Sequence, residues 1–102
     1  MHARVAFFRL RSGSFQQVVD IVEAPGGLLE IFRGRPGFQS YELIETGAGL
    51  VSVSHWDSWE QAEDATRASA EFVADKIDHL VKLARSDVGE VLMSATATAV
   101  AH

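Results

Sequence analysis

His55 is the residue of this sequence best suited to acid–base chemistry. It lies in the stretch VSVSHWDSWEQAE, residues 51–63, between two serines and two tryptophans. A neutral imidazole in an apolar cavity could take a proton from a phenol or quinol, which makes such a compound electron-rich enough to react with oxygen. In the alternative interpretation the ring is structural and hydrogen-bonds to a backbone carbonyl or to a hydroxyl such as that of Ser52 or Ser54. Both interpretations stay open at this stage.

Four further side chains could position a flat aromatic compound. Tyr41 could hydrogen-bond to a substrate oxygen, and the rings of Trp56 and Trp59 could stack on the substrate. Arg9 could bind an acidic group of the substrate. Each residue also has a structural alternative: Tyr41 packs at a sheet edge, the tryptophans wedge a helix against a sheet, and Arg9 pairs with a glutamate across a dimer.

The other motifs argue against several reaction classes. The chain has no cysteine, so it can form neither a disulfide nor a thiolate nucleophile. Its histidines, at positions 2, 55, 79 and 102, include no pair with the i, i+4 spacing of a helical metal site, and we expect His79 to be exposed. No Ser-His-Asp order, phosphate loop or dinucleotide fingerprint is present. We therefore expect no metal and no cofactor.

The composition is typical of one compact domain, residues 1–102. Hydrophobic residues make up 47% of the chain and charged residues 23%. The net charge is −5 and the basic residues form no run, so nucleic acid and acidic membranes are poor partners. No segment has the roughly 18–20 apolar residues of a membrane helix, and MHARVAFFRLRSG does not follow the pattern of a secretory signal. We expect a soluble, cytoplasmic protein.

The first half of the chain predicts a strand, a helix and a second strand. Residues 3–10, ARVAFFRL, are typical of a strand buried on most of both faces. Ser14 and Gln17 have the spacing of a capping box, and a helical apolar stripe runs from Phe15 to Phe32. The segment Pro25-Gly26-Gly27 interrupts the stripe, which favours a kink or a restart of the helix over a cradle for a phosphate.

The second half predicts a hairpin, a helix and a last strand. The runs FQSYELIET and LVSVSHWD flank a short glycine-containing loop, as in an antiparallel hairpin. Ser58 and Gln61 have capping-box spacing, and an apolar face at helical spacing continues as far as Ala84. SDVG then breaks the helix, and EVLMSATATAV, residues 90–100, is predicted to be the last strand.

The resulting order, β-α-β-β-α-β, predicts an α+β, ferredoxin-like fold with an antiparallel sheet. Two helices cover one face of the sheet. Apolar residues occupy both parities of several strands, whereas a sheet wetted on one face alternates more cleanly. We therefore expect a homodimer in which two sheets pack face to face and close a dimeric α+β barrel.

The run PGFQSYELIETGAGLVSVSHWDSWEQAEDA resembles the antibiotic biosynthesis monooxygenase (ABM)-like superfamily of dimeric α+β barrels. The similar features are PGF before strand two, a glycine hairpin, strand three ending in W-D-S before a helix, and VGEV at the last strand. The resemblance implies pairing through the sheets and the last strand, with a mostly apolar cavity between sheet and helices. Some members of that superfamily oxidise aromatic compounds with oxygen and without a cofactor, others open haem, and many have no known activity.

Two departures from the active members bear on the reaction. The chain has no asparagine, although the cofactor-free monooxygenases and the haem degraders of the superfamily both use one. Ala65 stands where the haem degraders carry a tryptophan, which disfavours haem breakdown. A non-catalytic small-ligand-binding or stress-associated dimeric barrel is therefore the alternative to an enzyme.

The leading hypothesis is a cofactor-independent monooxygenase that acts on a small phenol-like or quinol-like compound. It assigns catalysis to His55 as the base, assisted by Tyr41. It assigns substrate binding to aromatic and cationic side chains of the strands and the second helix, namely Trp59, Arg9, Phe72 and Trp56. The predicted partners are a second copy of the chain and a small apolar or aromatic ligand.

Overall fold

The computed structural model of the protein describes residues 1–97, which form a four-stranded antiparallel sheet with helices on one face. The elements in chain order are β1 (His2–Leu10), α1 (Phe15–Glu23), α2 (Leu28–Arg33), β2 (Phe38–Thr46), β3 (Gly49–Trp56), α3 (Trp59–Phe72) and β4 (Val81–Glu90). A π-helical turn, Val73–Ile77, extends α3. The strand order β2-β3-β1-β4 is that of the ferredoxin-like fold and confirms the predicted architecture. The sheet of one chain is open and does not close into a barrel by itself.

Both predicted capping boxes are present and set the starts of α1 and α3. The Ser14 hydroxyl accepts from the Gln17 amide at 3.2 Å, and the Gln17 side chain accepts from the Ser14 amide at 2.7 Å. Ser58 and Gln61 repeat the arrangement at 3.2 and 3.1 Å. Each box satisfies two helix N–H groups that would otherwise lack partners, so both helices begin at a defined residue.

The Pro-Gly-Gly segment separates α1 from α2, as the interrupted stripe predicts. A Cβ atom at Gly27 would collide with the carbonyl oxygens that end α1, so only glycine fits there. The amide of Gly26 donates to the Glu30 carboxylate at 2.9 Å. One helix ends and the next begins across this segment, so it is a helix restart.

The last strand differs from its prediction. Helix α3 ends at Phe72, and β4 spans Val81–Glu90 instead of the predicted EVLMSATATAV. Val81 is buried, but it belongs to the strand, and the Leu80 carbonyl accepts from the Arg11 amide at 2.6 Å. Residues 91–97 have no regular structure, and residues 98–100 of the predicted strand lie outside the described residues. VGEV therefore marks the end of β4, not its beginning.

The last strand was misplaced for a physical reason: β4 is an edge strand, and its sequence is polar and does not alternate regularly. Most of its side chains are exposed, and charged residues are common on such edges because they discourage pairing with other chains. Its pairing with β1 also shifts at a bulge, where Phe7 lies opposite Arg85 but Phe8 lies opposite Leu83. Ala84 is the extra residue, and it interrupts the alternation that identifies a strand.

The two faces of the sheet have different environments. In β3 the even-numbered residues from Leu50 to Trp56 are buried against the helices, and the odd-numbered residues are half-buried on the opposite side. We call that opposite side the open face; besides the odd residues of β3 it carries Ala3, Val5, Phe7, Arg9, Ser40, Glu42, Ile44, Arg85 and Asp87. The buried core on the helix side includes Phe8, Val18, Phe32, Trp56, Ala62 and Phe72.

None of the helices within residues 1–97 has the length and hydrophobicity needed to cross a bilayer.

Candidate functional site

Tyr41 faces the helices and borders a small interior cavity. In the sheet it lies opposite Ser54, and its β2 neighbour Leu43 lies opposite Ser52. The cavity has a volume of about 20 Å³, enough for one water molecule, and its wall is apolar except for Tyr41, Ser52 and Ser69. The Ser52 hydroxyl is buried and has no hydrogen-bond partner among residues 1–97. A polar position is thus built into an otherwise hydrophobic core.

Burial raises the pKa of the Tyr41 phenol above its ordinary value. The hydroxyl of Ser52, which lies beside it without a well-aligned hydrogen bond, and the positive charge of Arg4 offset part of that rise. Tyr41 is therefore protonated at neutral pH, and its O–H can donate a hydrogen bond.

A larger groove of about 390 Å³ adjoins the interior cavity. It runs between one side of α3 with its π-helical turn and the strands β1 and β4. The two spaces share four wall residues, namely Phe8, Ser69, Val73 and Val81. These four side chains separate the groove from the polar position at Tyr41 and Ser52, which line the interior cavity but not the groove.

Arg4 lies in the wall of this groove and is the most unusual side chain of the structure. It is only 2% exposed, and its Nε and Nη1 atoms have no hydrogen-bond partner among the described residues. Burial lowers the pKa of its guanidinium, and the neighbouring Tyr41 partly opposes that effect. Arg4, Ser54 and Tyr41 form one row across three strands, all facing the helices.

His55 lies on the open face, not beside Tyr41. Its Nδ1 atom is 3.0 Å from the hydroxyl of Ser40, the residue opposite it on β2. This contact matches the structural alternative for the ring, although the partner is Ser40 and not Ser52 or Ser54. Within one chain the sheet separates the two predicted catalytic residues, so they cannot act together on one ligand of the groove.

Trp56 is enclosed at the centre of an aromatic cluster. It has 0% exposed surface, and its indole N–H donates to the Ser54 hydroxyl at 2.9 Å. Its ring meets those of Phe32 and Phe38 at centroid distances of 5.2 and 5.4 Å, both in edge-to-face geometry. Trp56 therefore fixes the junction of β3 and α3, and none of its surface is available to a ligand.

The other predicted substrate-binding residues lie apart from one another. Trp59 is 50% exposed in the first turn of α3. Phe72 is buried at the end of α3 and lines a shallow depression near Arg35, away from the groove. Arg9 is exposed on the open face. Their substrate-binding roles, like the catalytic roles of His55 and Tyr41, stay predictions.

Sequence reasoning did not single out Arg4, Ser69 or a binding role for Ser52. A signal for Arg4 was available: in ARVAFFRL it shares the parity of Ala6 and Phe8, which are buried. A charged residue at an inward position of a strand indicates a functional or paired group. Ser69 carried no such signal, because serine is common on helix surfaces. His79 is exposed, as expected.

Within residues 1–97, no three His, Asp or Glu side chains converge in a group that could hold a metal ion.

Comparisons with known proteins find similarity in structure. No protein-family model and no curated protein matches the sequence. Among solved structures, SnoaB, a cofactor-independent oxygenase from Streptomyces nogalater, is 16% identical with a TM-score of 0.65, over 91% of this chain and 94% of that one. Rv0793 from Mycobacterium tuberculosis is 22% identical with a TM-score of 0.67, over 93% and 98% of the two chains. A dimeric ferredoxin-like protein from an uncultured marine organism is 16% identical with a TM-score of 0.68, over 94% and 98%. The ABM-like resemblance is thus confirmed at the level of the fold.

Proposed function

We propose that this protein is a homodimeric, cofactor-independent monooxygenase of small phenol-like or quinol-like compounds. The observation that carries the proposal is the polar position made by Tyr41 and Ser52 in an apolar wall beside the groove. A flat aromatic body fits such a wall, and a few placed polar groups fix its orientation. The likeness of the fold to SnoaB supports an oxygenase over other reaction classes for this site.

The proposed reaction converts a phenol that has a free ring C–H into a quinone: the phenol plus O₂ gives the quinone plus water. Ionisation of the phenol supplies an electron-rich ring that reduces O₂, and loss of water from the resulting ring hydroperoxide leaves the second carbonyl. Tyr41, protonated because burial raises its pKa, donates a hydrogen bond to the substrate oxygen. In the groove the proton of the phenol passes to water. A role for His55 as the base requires a substrate at the open face instead.

The open face supports the homodimer. Phe7 and Ile44 are 40% and 42% exposed there, next to the half-buried valines at positions 5, 51 and 53. A second sheet packed on this face would remove these apolar side chains from water. The marine relative is described as dimeric.

The residues after β4 support a contribution of the C-terminal segment to the dimer. The Val91 amide donates to the Met1 carbonyl at 2.9 Å, and beyond it Leu92 and Met93 are 90% and 82% exposed. Two adjacent apolar side chains with so much exposed surface are suited to contact with a partner subunit.

The test is oxygen uptake with a panel of quinols and acidic phenols, comparing the wild type with Tyr41→Phe and His55→Ala. We expect uptake by the wild type, a rate at least about tenfold lower for Tyr41→Phe, and little change for His55→Ala. A large loss in His55→Ala with none in Tyr41→Phe would move the site to the open face. Absence of uptake with every compound would refute the enzymatic function.

A second candidate is a non-catalytic ligand-binding dimer of the same fold. The observation in its favour is the separation of His55, which is bonded to Ser40, from Tyr41 on the other side of the sheet. It predicts that compounds of the same panel bind without oxygen uptake.

A further inference from the structure

We propose that the groove beside Arg4 is a binding site for a flat aromatic anion, with Arg4 as the residue that selects its negatively charged oxygen. This inference rests on the proposed function to the extent that it names the charge of the substrate, but the site also stands as a binding site alone. Arg4 is only 2% exposed, and its Nε and Nη1 atoms have no hydrogen-bond acceptor within residues 1–97.

Such an arrangement is costly unless a negative group completes it. A buried charge that is neither paired nor hydrogen-bonded destabilises a fold, so buried arginines normally carry a carboxylate or carbonyl partner. None of the ion pairs formed by residues 1–97 involves Arg4. Its strand neighbours on the helix side, Ser54 and Val88, bring no negative charge. An anion from outside the chain would supply the missing partner.

The groove as a whole is positive although the protein is acidic. Two cationic side chains, Arg4 and Arg11, line it against one carboxylate, Asp78. Lys82 also borders the groove, but it lies opposite Arg9 and carries its charge on the open face. Asp78 lies 4.0 Å from Arg11 and offsets its charge, so the charge of Arg4 is left in excess. The net charge of the chain is −5, so this local excess of positive charge runs against the composition. Such a cleft attracts anionic ligands over neutral ones.

The rest of the groove wall indicates which kind of molecule could carry the anionic group. Apolar side chains of β1, β4 and the π-helical turn line the groove, among them Phe8, Val73 and Leu83. Its volume of about 390 Å³ lies in the range of small-molecule sites. An apolar slot with one buried cation suits a ring system that carries a carboxylate or an ionised phenol.

The experiment is isothermal titration calorimetry of the full chain with 2-naphthoate, with its neutral analogue 2-naphthamide, and with 4-nitrophenol at an alkaline pH at which it is ionised. We expect the wild type to bind 2-naphthoate about tenfold or more tightly than the amide, because a hydrogen bond to a charged group is worth at least that factor. The 4-nitrophenolate arm distinguishes the two sources of the anionic oxygen: if it also binds in an Arg4-dependent manner, the site accepts phenolates as well as carboxylates.

Variants locate the charge that is responsible. Arg4→Met keeps the length of the side chain and is expected to weaken 2-naphthoate at least about tenfold while leaving 2-naphthamide unchanged. Arg4→Lys restores part of the preference for the anion. Arg33→Met removes an exposed arginine of α2 that does not line the groove, and we expect it to bind like the wild type.

Three results would overturn the inference: no binding of either anion by the wild type, equal affinity of the wild type for naphthoate and naphthamide, or wild-type affinity in Arg4→Met. If Arg4→Met does not fold, the comparison of anion with amide in the wild type and Arg4→Lys decides instead. Arg4-dependent binding without oxygen uptake by any quinol would refute the oxygenase and leave the anion site standing. Oxygen uptake that is unaffected by Arg4→Met would leave the oxygenase standing and would refute Arg4 as the residue that selects its substrate.

Discussion

Tyr41 and His55 lie on opposite faces of one sheet, although their strands are paired and they are offset by a single register position. Ser40 is opposite His55 and bonds to its ring, whereas Tyr41 is opposite Ser54 and faces the helices. Because side chains alternate across a strand, that one position places the imidazole at the open face and the phenol at the interior cavity. The separation turns one predicted site into two surfaces that can be tested independently.

The first prediction concerns the ionisation of Tyr41. It is the only tyrosine of the chain, so the absorbance of tyrosinate reports this residue alone. Because burial raises its pKa, we expect the native protein to titrate above about pH 10, the ordinary value that the unfolded chain shows in urea. A native titration at the ordinary value would contradict the burial of the phenol.

The same shift predicts a loss of stability at alkaline pH. The folded-state pKa lies above the unfolded one, so the contribution of Tyr41 is complete below about pH 10 and is lost as the pH rises from the unfolded towards the folded pKa. Tyr41→Phe removes the ionisable group. The difference in unfolding free energy between the variant and the wild type, measured in urea, should therefore grow in favour of the variant above about pH 10.

Trp56 and Trp59 should differ sharply in their effect on stability. Trp56→Ala empties the centre of the aromatic cluster and is expected to cost about 3–5 kcal/mol of unfolding free energy. Trp59→Ala changes a half-exposed side chain and should cost less than about 1 kcal/mol. Urea denaturation of both variants measures the contrast, and equal losses would disagree with these positions.

The two capping boxes should contribute similar free energies. Ser14→Ala and Ser58→Ala each remove a side-chain acceptor from a helix N-terminus, which costs about 1 kcal/mol. Ser94→Ala, in the exposed segment after β4, is the control and should be neutral. Chemical denaturation resolves differences of this size. If either cap variant matched the control, that cap would not stabilise the fold.

The open face should determine the oligomeric state. Phe7→Glu places a charge among the apolar side chains of this face and is expected to convert the proposed dimer to a monomer. Ala24→Glu adds the same charge at an exposed position on the helix side and should leave the dimer intact. Sedimentation velocity distinguishes the two states. A Phe7→Glu protein of unchanged size would locate the interface elsewhere.

Sequence reasoning was most accurate where the pattern is local. The two capping boxes and the Phe38–Trp56 hairpin depend on residues within a few positions of one another, and all three are present. The side of the sheet that His55 occupies depends on which alternate residues of β3 the helices cover. A strand in which valines alternate with serines does not reveal which set that is. In β3 the serines are buried against the helices and the valines face the open side, which is the reverse of the usual preference for burying valine.

The candidate site was predicted less well because its residues meet only through long-range pairing. Arg4 and Tyr41 are far apart in sequence, and β3 must pair with both of their strands before they share a row. The groove also requires β4 in its observed place, and the sequence-based interpretation assigned that segment partly to a helix. Without β4, no pattern in the sequence indicates a cleft next to Arg4.

The extra residue at Ala84 divides β4 into two halves whose alternation is out of phase. Before it, the odd-numbered Val81 and Leu83 turn to the groove, and after it the odd-numbered Arg85 and Asp87 turn to the open face. A single insertion thus lets the same edge strand supply hydrophobic side chains to the groove and charged ones to the open face. Deletion of Ala84 would bring both halves into one phase, so one set of side chains would turn to the opposite face of the sheet.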